Sequence, residues 1–205
     1  MDCAKVGRLI LHLRKERGLT QKNVADALNI SNKTVSKWER GLGCPDVSLL
    51  AELSGVLGAD MEKMLEGELD PNRPDNGNIN RIRFYVCPAC GNVLTSSNKA
   101  SISCCGRKLV PLVPKEHLEH HVMTVEEIDI YNYISMDHEM IKTHFIRFIA
   151  YVGPDMVLLK RLYPEQSANI YIPVMGRDGK LYGYCSRHGL WVQSMHPKEG
   201  AVYDE

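Results

Sequence analysis

Cys185 and His188 stand three residues apart and run into Gly189-Leu190-Trp191. That spacing can put a thiolate and an imidazole on one metal ion. Two ligands do not complete a site, and the others must come from upstream. His138 and His144 enclose a five-residue stretch, and Glu119-His120-His121 precedes them. Together these segments offer one sulfur and four imidazoles, with one of the paired histidines spare. Zinc prefers four ligands in a closed tetrahedron, whereas five protein donors with one soft thiolate suit a redox iron with an open sixth position. A second group is all sulfur: Cys87-Pro-Ala-Cys90-Gly91, then Cys104-Cys105-Gly106. Its four cysteines can make a tetrathiolate site for iron or for zinc. A structural zinc ribbon normally repeats Cys-x-x-Cys, whereas here the second pair is adjacent, which forces a distorted tetrahedron. A metal saturated by four thiolates can pass electrons but has no room for substrate.

Ligands this far apart in sequence need a rigid frame. From Val122 onward the chain shows short β-branched and aromatic runs broken by turn residues. Runs 125–134, 144–152, 156–162, 170–174 and 180–184 read as strands, with turns at Gly153-Pro154, Tyr163-Pro164 and Gly176-Arg-Asp-Gly179. Five strands at this spacing predict an all-β sandwich. His138 and His144 then flank a loop entering a strand. Cys185 and His188 occupy the loop leaving the 180–184 strand, and His121 arrives from the segment before the first strand. Gly189 is expected to let the backbone pass close to the metal, with Trp191 packed along one edge.

The N-terminal third follows a different period. Val6, Leu9, Ile10 and Leu13 fall at helical spacing up to Gly18. Thr20, Ser31 and Asp46 are good N-caps for a second, third and fourth helix, and Gly58-Ala-Asp60 leads into a fifth. Two short helices joined at Asn29-Ile30 within such a bundle have helix-turn-helix architecture. Residues 5–40 are markedly basic, and residues 41–70 are acidic except for Lys63. One basic and one acidic face suit a DNA-docking module. A degenerate head kept for dimerisation is the alternative. Val35 and Trp38 read as core. Asp70-Pro-Asn-Arg-Pro-Asp-Asn-Gly-Asn has no apolar period and reads as a linker. The expected organisation is residues 1–69 as head, 70–80 as linker, 81–114 as a four-cysteine module and 115–205 as the β-sandwich.

Two resemblances sharpen this reading. Residues 84–191 resemble desulfoferrodoxin, the two-iron superoxide reductase family. Its Cys-Asn-x-His-Gly-Leu-Trp motif matches Cys185 to Trp191, with Ser186 for Asn. Its His-Pro-Met-x-x-x-His motif matches His138 to His144, and its Glu-Lys-His-Val-Pro matches Glu119 to Met123. The resemblance implies an immunoglobulin-like sandwich and an iron held by His121, His138, His144, Cys185 and His188. It also implies a desulforedoxin-like iron module at Cys87, Cys90, Cys104 and Cys105, and a homodimer. The implied reaction is one-electron reduction of superoxide to hydrogen peroxide, with a rubredoxin-like protein as electron donor. Glu119 matches the residue that can occupy the open position of the oxidised iron. The family's lysine, thought to attract superoxide and help protonate the product, is His120 here. Met123 and Glu139 replace two family prolines, which is expected to loosen the ligand loops. Glu139 also adds negative charge where an anion must enter. Slower superoxide capture is therefore expected.

Residues 5–66 are similar to the phage-repressor (Cro-type) helix-turn-helix family, through Leu19-Thr-Gln-x-x-Val-Ala and Lys33-Thr-Val-Ser-Lys-Trp-Glu-Arg-Gly41. The resemblance implies phosphate contacts from Gln21 and Arg40. It turns Asn32, Lys33, Ser36 and Lys37 towards the major groove, where Asn can read adenine and Lys guanine. Two functions share these residues: an enzyme carrying a DNA-binding head, and a regulator whose iron centres sense redox state.

The 205 residues carry zero net charge, so bulk charge points to neither nucleic acid nor membrane. No apolar run has the length of a membrane span. The opening Met-Asp-Cys-Ala-Lys lacks a charged region leading into an apolar core, which predicts no signal peptide and a cytoplasmic protein. Seven cysteines in that setting point to metal or redox work rather than disulfides. Cys3 and Cys44 fall outside both ligand sets, with Cys44 expected to pack near the fourth helix. His12, His117 and His196 read as solvated surface residues.

Overall fold

The computed structural model describes residues 1–74, 81–116, 118, 120–174 and 179–195. The chain divides into two compact units, Met1–Asn72 and Arg73–Glu205.

The first unit is helical: α1 (Cys3–Glu16), α2 (Gln21–Ala27), α3 (Asn32–Glu39), α4 (Val47–Leu57) and α5 (Met61–Glu66). Each start is fixed by a side chain that accepts an otherwise unpaired backbone N–H. Asp2, Thr20, Ser31, Asp46 and Asp60 do this in turn, and Asn23 returns the favour to Thr20 in a reciprocal capping box. Val6, Leu9, Ile10 and Leu13 of α1 pack on Val24, Val35, Trp38, Leu53, Leu57 and Met64. α1 crosses the end of α3 so closely that a Cβ on Gly7 would stand 2.0 Å from the Trp38 carbonyl oxygen. Only glycine fits there. Arg14 and Glu39 form a partly buried ion pair between α1 and α3, their side chains 12% and 4% exposed. Gln21 Nε2 donates to the same carboxylate at 2.6 Å.

One cysteine expectation is corrected here. Cys3 and Cys44 are joined in a disulfide, with Cα atoms 4.8 Å apart. The bond ties the first turn of α1 to the segment leaving α3, against which Ala4 packs at Gly41.

The second unit is β-rich. β1 (Arg83–Val86) pairs with β2 (Val93–Ser96), and β3 (Ile102–Cys104) with β4 (Arg107–Leu109). β5 (Thr124–Ile128), β6 (Tyr131–Ser135) and β9 (Asn169–Pro173) make a three-stranded sheet in the order β5-β6-β9. β7 (Ile146–Val152), β8 (Val157–Arg161), β10 (Lys180–Cys185) and β11 (Gly189–Ser194) make a four-stranded sheet in the order β11-β10-β7-β8. All the pairings are antiparallel.

The two larger sheets enclose one core. Ile134, Ile170 and Ile172 meet Ile149, Tyr151, Leu181 and Trp191 there. From Phe148 to Val152, β7 is buried on both faces, which explains the unbroken apolar run there. Its other face, through Phe148, Ala150 and Val152, receives Phe84 of β1 together with Tyr182 and Leu190. Phe84 stacks on Phe148 with ring centres 5.3 Å apart. The four-cysteine hairpins thus sit against the four-stranded sheet, further held by Arg161, which donates to the Gly91 carbonyl at 3.2 Å.

The strand expectations need three corrections. The 125–134 run is two strands, because Asp129 turns the chain with φ 53°. β11 was not anticipated, since its first residues read as a ligand loop. The four strands of the cysteine hairpins were not anticipated either. The turn at 176–179 rests largely on residues outside those described, as does part of the 70–80 linker.

Candidate metal centres

Three loops converge at one end of the two larger sheets. His138 lies in the crossing from β6 to β7, with His144 close to where β7 begins. Cys185 ends β10, and His188 closes the turn back into β11. Gly189 there has φ 87°, and nothing lies within 4 Å of a Cβ placed on it. The glycine is thus favoured by its left-handed backbone. His121 follows a sharp turn in which His120 has φ 56° and the His121 N–H donates to the Leu118 carbonyl at 3.1 Å.

His121, His138, His144 and Cys185 each bring one ligand atom into a group whose members lie within 4.8 Å of one another. His188 joins through Nδ1, which is 3.4 Å from Cys185 Sγ, 3.3 Å from His144 Nε2 and 3.2 Å from His121 Nε2. All five histidine and cysteine residues singled out from sequence are brought together. Their environments differ by side. Cys185 is fully buried and His121 is 4% exposed. The imidazoles border a cavity of about 540 Å³ lined by His120, His121, Asp137, His138, Glu139, His144 and His188, with the sulfur absent from its wall. Burial, reinforced by nearby His144 and His121, pulls the His138 imidazole down to about 4. It is therefore a neutral donor at neutral pH.

Neighbouring residues hold these ligands in place. Glu139 Oε2 lies 3.1 Å from His144 Nδ1. That contact turns Nε2 towards the group, in the carboxylate–histidine arrangement that orients metal ligands. Ser186 is clamped to the start of β7: its N–H donates to the Phe145 carbonyl and its Oγ accepts from the Phe145 N–H. The Arg187 N–H points at Cys185 Sγ from 3.5 Å. The Gln193 amide grips Met123 from both sides, accepting its N–H at 2.9 Å and donating to its carbonyl at 2.7 Å. Proline at 123 could not make the first bond. At both positions where family prolines are replaced, the residue present makes a hydrogen bond that proline could not. Trp191 packs edge-on to His121, ring centres 5.2 Å apart, as anticipated. Sequence reasoning missed the parts played by Gln193, Glu139 and Asp137, whose partners are remote or depend on loop geometry. Glu119 and His117 lie outside the described residues, as does His196.

The sulfur group is built from two tight turns. In the first, the Gly91 N–H returns to the Cys87 carbonyl at 2.8 Å, with φ 69° at Gly91. In the second, Cys105 and Gly106 are the two central residues of the β3–β4 hairpin, with φ 51° and 71°. Two successive left-handed residues define the turn type that matches strand twist, so the adjacent cysteines belong to a strand end and a turn. The four sulfurs lie within 4.8 Å of one another. Backbone N–H groups, that of Cys90 foremost, bring the Cys87 thiol down to about 7, while the Cys90 sulfur pushes Cys105 up to about 12. Four thiols this close oppose one another's ionisation, and a cation among them would favour the thiolates.

On the helical unit, Asn32, Lys33 and Lys37 are exposed along α3, with Ser36 half-buried on the same helix and Arg40 exposed at its end. Gln21 is different. It begins α2 half-buried and is held by Glu39, which ties it to the α1–α3 ion pair.

Residues 10–64 match the helix-turn-helix family model HTH_3. The desulfoferrodoxin of Syntrophotalea carbinolica is 26% identical over 119 residues, covering 54% of this chain and 94% of that protein. The desulfoferrodoxin of Clostridium acetobutylicum is 25% identical over 121 residues, covering 55% and 95%. The chain joins a helix-turn-helix domain to a desulfoferrodoxin-like region. Among solved structures, the superoxide reductase from Treponema pallidum aligns over 55% of this chain and 96% of its own, at 18% identity and a TM-score of 0.47. The metal-binding cysteine and histidine groups both fall in the desulfoferrodoxin-like region. No helix among the described residues is long and apolar enough to cross a membrane.

Proposed function

We propose that this protein is a superoxide reductase carrying a DNA-binding head. It would perform one-electron reduction of superoxide, with two protons, to hydrogen peroxide. The observation that carries this reading is the asymmetry of the five-donor group: a buried thiolate on one side, and four imidazoles bordering an open cavity on the other. That donor set fits iron, and a closed zinc tetrahedron would leave one imidazole unused. The ligands would be His121, His138, His144, Cys185 and His188. Ferrous iron held there would supply the electron. The four-cysteine group at Cys87, Cys90, Cys104 and Cys105 fits a second iron, with zinc as the alternative metal. The three- and four-stranded sheets, packed on one core, are read as an immunoglobulin-like sandwich.

The chain's own residues shape the reaction. Glu139 orients His144, and the Arg187 N–H tempers the charge on Cys185 Sγ. His120 lines the cavity where the product needs protons, with Glu119 beside it in sequence. Both are assigned as catalytic. Asp137 and Glu139 make the cavity mouth unwelcoming to an anion, which supports slower capture than a lysine at 120 would give. The same observation favours a second reading, a regulator whose iron centres report redox state. Asn32, Lys33, Ser36 and Lys37 would read bases, with Gln21 and Arg40 on phosphates. A dimer spanning half-sites about 34 Å apart suits such a head. The remaining assignments are a homodimer, a rubredoxin-like electron donor, cytoplasmic placement with the DNA, and the four regions 1–69, 70–80, 81–114 and 115–205.

The test is a superoxide pulse on anaerobically reduced, iron-loaded protein, following iron oxidation and counting peroxide. One peroxide per superoxide is expected. Slow or absent oxidation with iron still bound would reject catalysis in favour of the sensor.

A further inference from the structure

Cys3 and Cys44 have no part in either metal group, yet the fold sets them together. They lie 41 positions apart in sequence and are bonded, while Cys87, Cys90, Cys104, Cys105 and Cys185 are free thiols. Thiolate ligands for metals need a reducing setting, and a permanent disulfide is rare there. Both cysteines are half-buried, open to small oxidants and to dithiols. The helical core consists of Val6, Leu9, Ile10, Leu13, Val24, Trp38 and their neighbours, without either cysteine. The head therefore has a packed interior whether or not the bond is present. Cys3 is the first residue of the 14-residue helix α1. Lys5 and Arg8 follow in the next turns, and the Asp2 carboxylate caps the same end of the helix.

We propose that Cys3 and Cys44 form a reversible dithiol–disulfide couple, a third redox site of this chain, with hydrogen peroxide as oxidant. The Cys3 thiolate attacks one peroxide oxygen; the O–O bond breaks, and hydroxide leaves with a proton as water. Cys3 is then a sulfenic acid. The Cys44 thiolate attacks its sulfur, forms the S–S bond and releases the second water. Two thiols lose two electrons and two protons in all, and one peroxide becomes two waters. A dithiol reverses the step by exchange, becoming a disulfide itself. That the peroxide originates in the same chain rests on the superoxide reductase reading; the thiol chemistry does not. Closure of the couple fastens the α3 exit to the start of α1, where Gly41 abuts Ala4. The redox state of the head would thereby set the mobility of the 41–46 segment.

The full-length protein is reduced with dithiothreitol under argon, desalted and given one equivalent of hydrogen peroxide. Cysteine peptides are then mapped by mass, and backbone amide exchange is followed. Expected are loss of two thiols per peroxide, a linked Cys3–Cys44 peptide pair, reopening by dithiothreitol without unfolding, and exchange at 41–46 about tenfold slower in the closed form. Cys44→Ser should leave Cys3 as a sulfenic acid that dimedone captures; no capture overturns Cys3 as the attacking thiol. Thiols that survive excess peroxide overturn the couple, as does a bond that dithiothreitol cannot reopen in folded protein. A parallel superoxide pulse separates the two readings. One peroxide formed per superoxide keeps the iron chemistry; half a peroxide, the yield of spontaneous dismutation, removes it while closure by added peroxide keeps the couple.

Discussion

Replacing Glu139 with Gln should weaken metal binding at the five-donor group by about tenfold. The carboxylate lies 3.1 Å from His144 Nδ1, on the far side of the ring from the Nε2 that faces the other donors. A hydrogen bond with a charged partner is worth about 1.5–3 kcal/mol. Glu139 is 62% exposed and His144 only 11%, so solvent screens one partner and the low end applies. About 1.4 kcal/mol is one factor of ten in affinity, at the lower edge of what orienting partners of metal ligands contribute. The assay is competition between the metal-free protein and a chelator of known affinity, titrated with ferrous ion and separately with zinc. Glutamine keeps the shape and can still accept through its amide oxygen, so Glu139→Ala should lose at least as much. Equal affinities for wild type and both variants would show that His144 is oriented by its loop alone, and the argument from the carboxylate would be wrong.

Other consequences are open to measurement. His120→Lys should speed superoxide capture about tenfold at low salt, by placing a fixed positive charge beside Asp137 and Glu139; stopped-flow traces without acceleration would count against electrostatic control. Glu39→Ala should cost about 2 kcal/mol of head stability, because it strands the partly buried Arg14 guanidinium, which keeps the Leu19 carbonyl. Urea unfolding followed at the head would read that loss, and an unchanged midpoint would mean that Arg14 finds water. The N-cap carboxylates give a pH window. Asp2, bonded chiefly by the Lys5 N–H, and Asp46, bonded chiefly by the Ser48 side chain, both lie below the ordinary value of 3.8. Their capping contribution is therefore complete above 3.8 and disappears as pH falls through the lower folded values. Helix content of the head should hold down to about pH 4 and decline below it, and a decline centred near pH 6 would point to other groups.

What sequence revealed divides by distance along the chain. Helix starts are local events, and Thr20, Ser31 and Asp46 could be read because each cap acts within three residues. The ligand spacings were legible for the same reason, since Cys185–His188 and His138–His144 each belong to one loop. Non-local pairings were not. Glu39 meets Arg14 and Gln21 only after three helices pack, and Gln193 reaches Met123 across 70 positions. The turn at Asp129 was hidden because no glycine or proline marks it. β11 is hidden in the sequence because it folds back on β10 across only three residues, Ser186 to His188, and opens with a glycine. The disulfide was misjudged because composition speaks for a compartment, not for two particular sulfurs that a fold has placed side by side.

β11 is an outer strand of the four-stranded sheet, and such strands leave backbone groups free to recruit another chain. Here Lys115 covers that border: its N–H donates to the Leu190 carbonyl at 3.0 Å and its carbonyl accepts the Val192 N–H at 2.9 Å. Its ammonium also reaches the His188 carbonyl at 3.2 Å. The strip that shields the sheet is thus the strip that leads to His121. Protection from self-association and assembly of the metal group share one piece of backbone. Metal-free protein is therefore expected to associate more readily than loaded protein, which light scattering of the two forms would read.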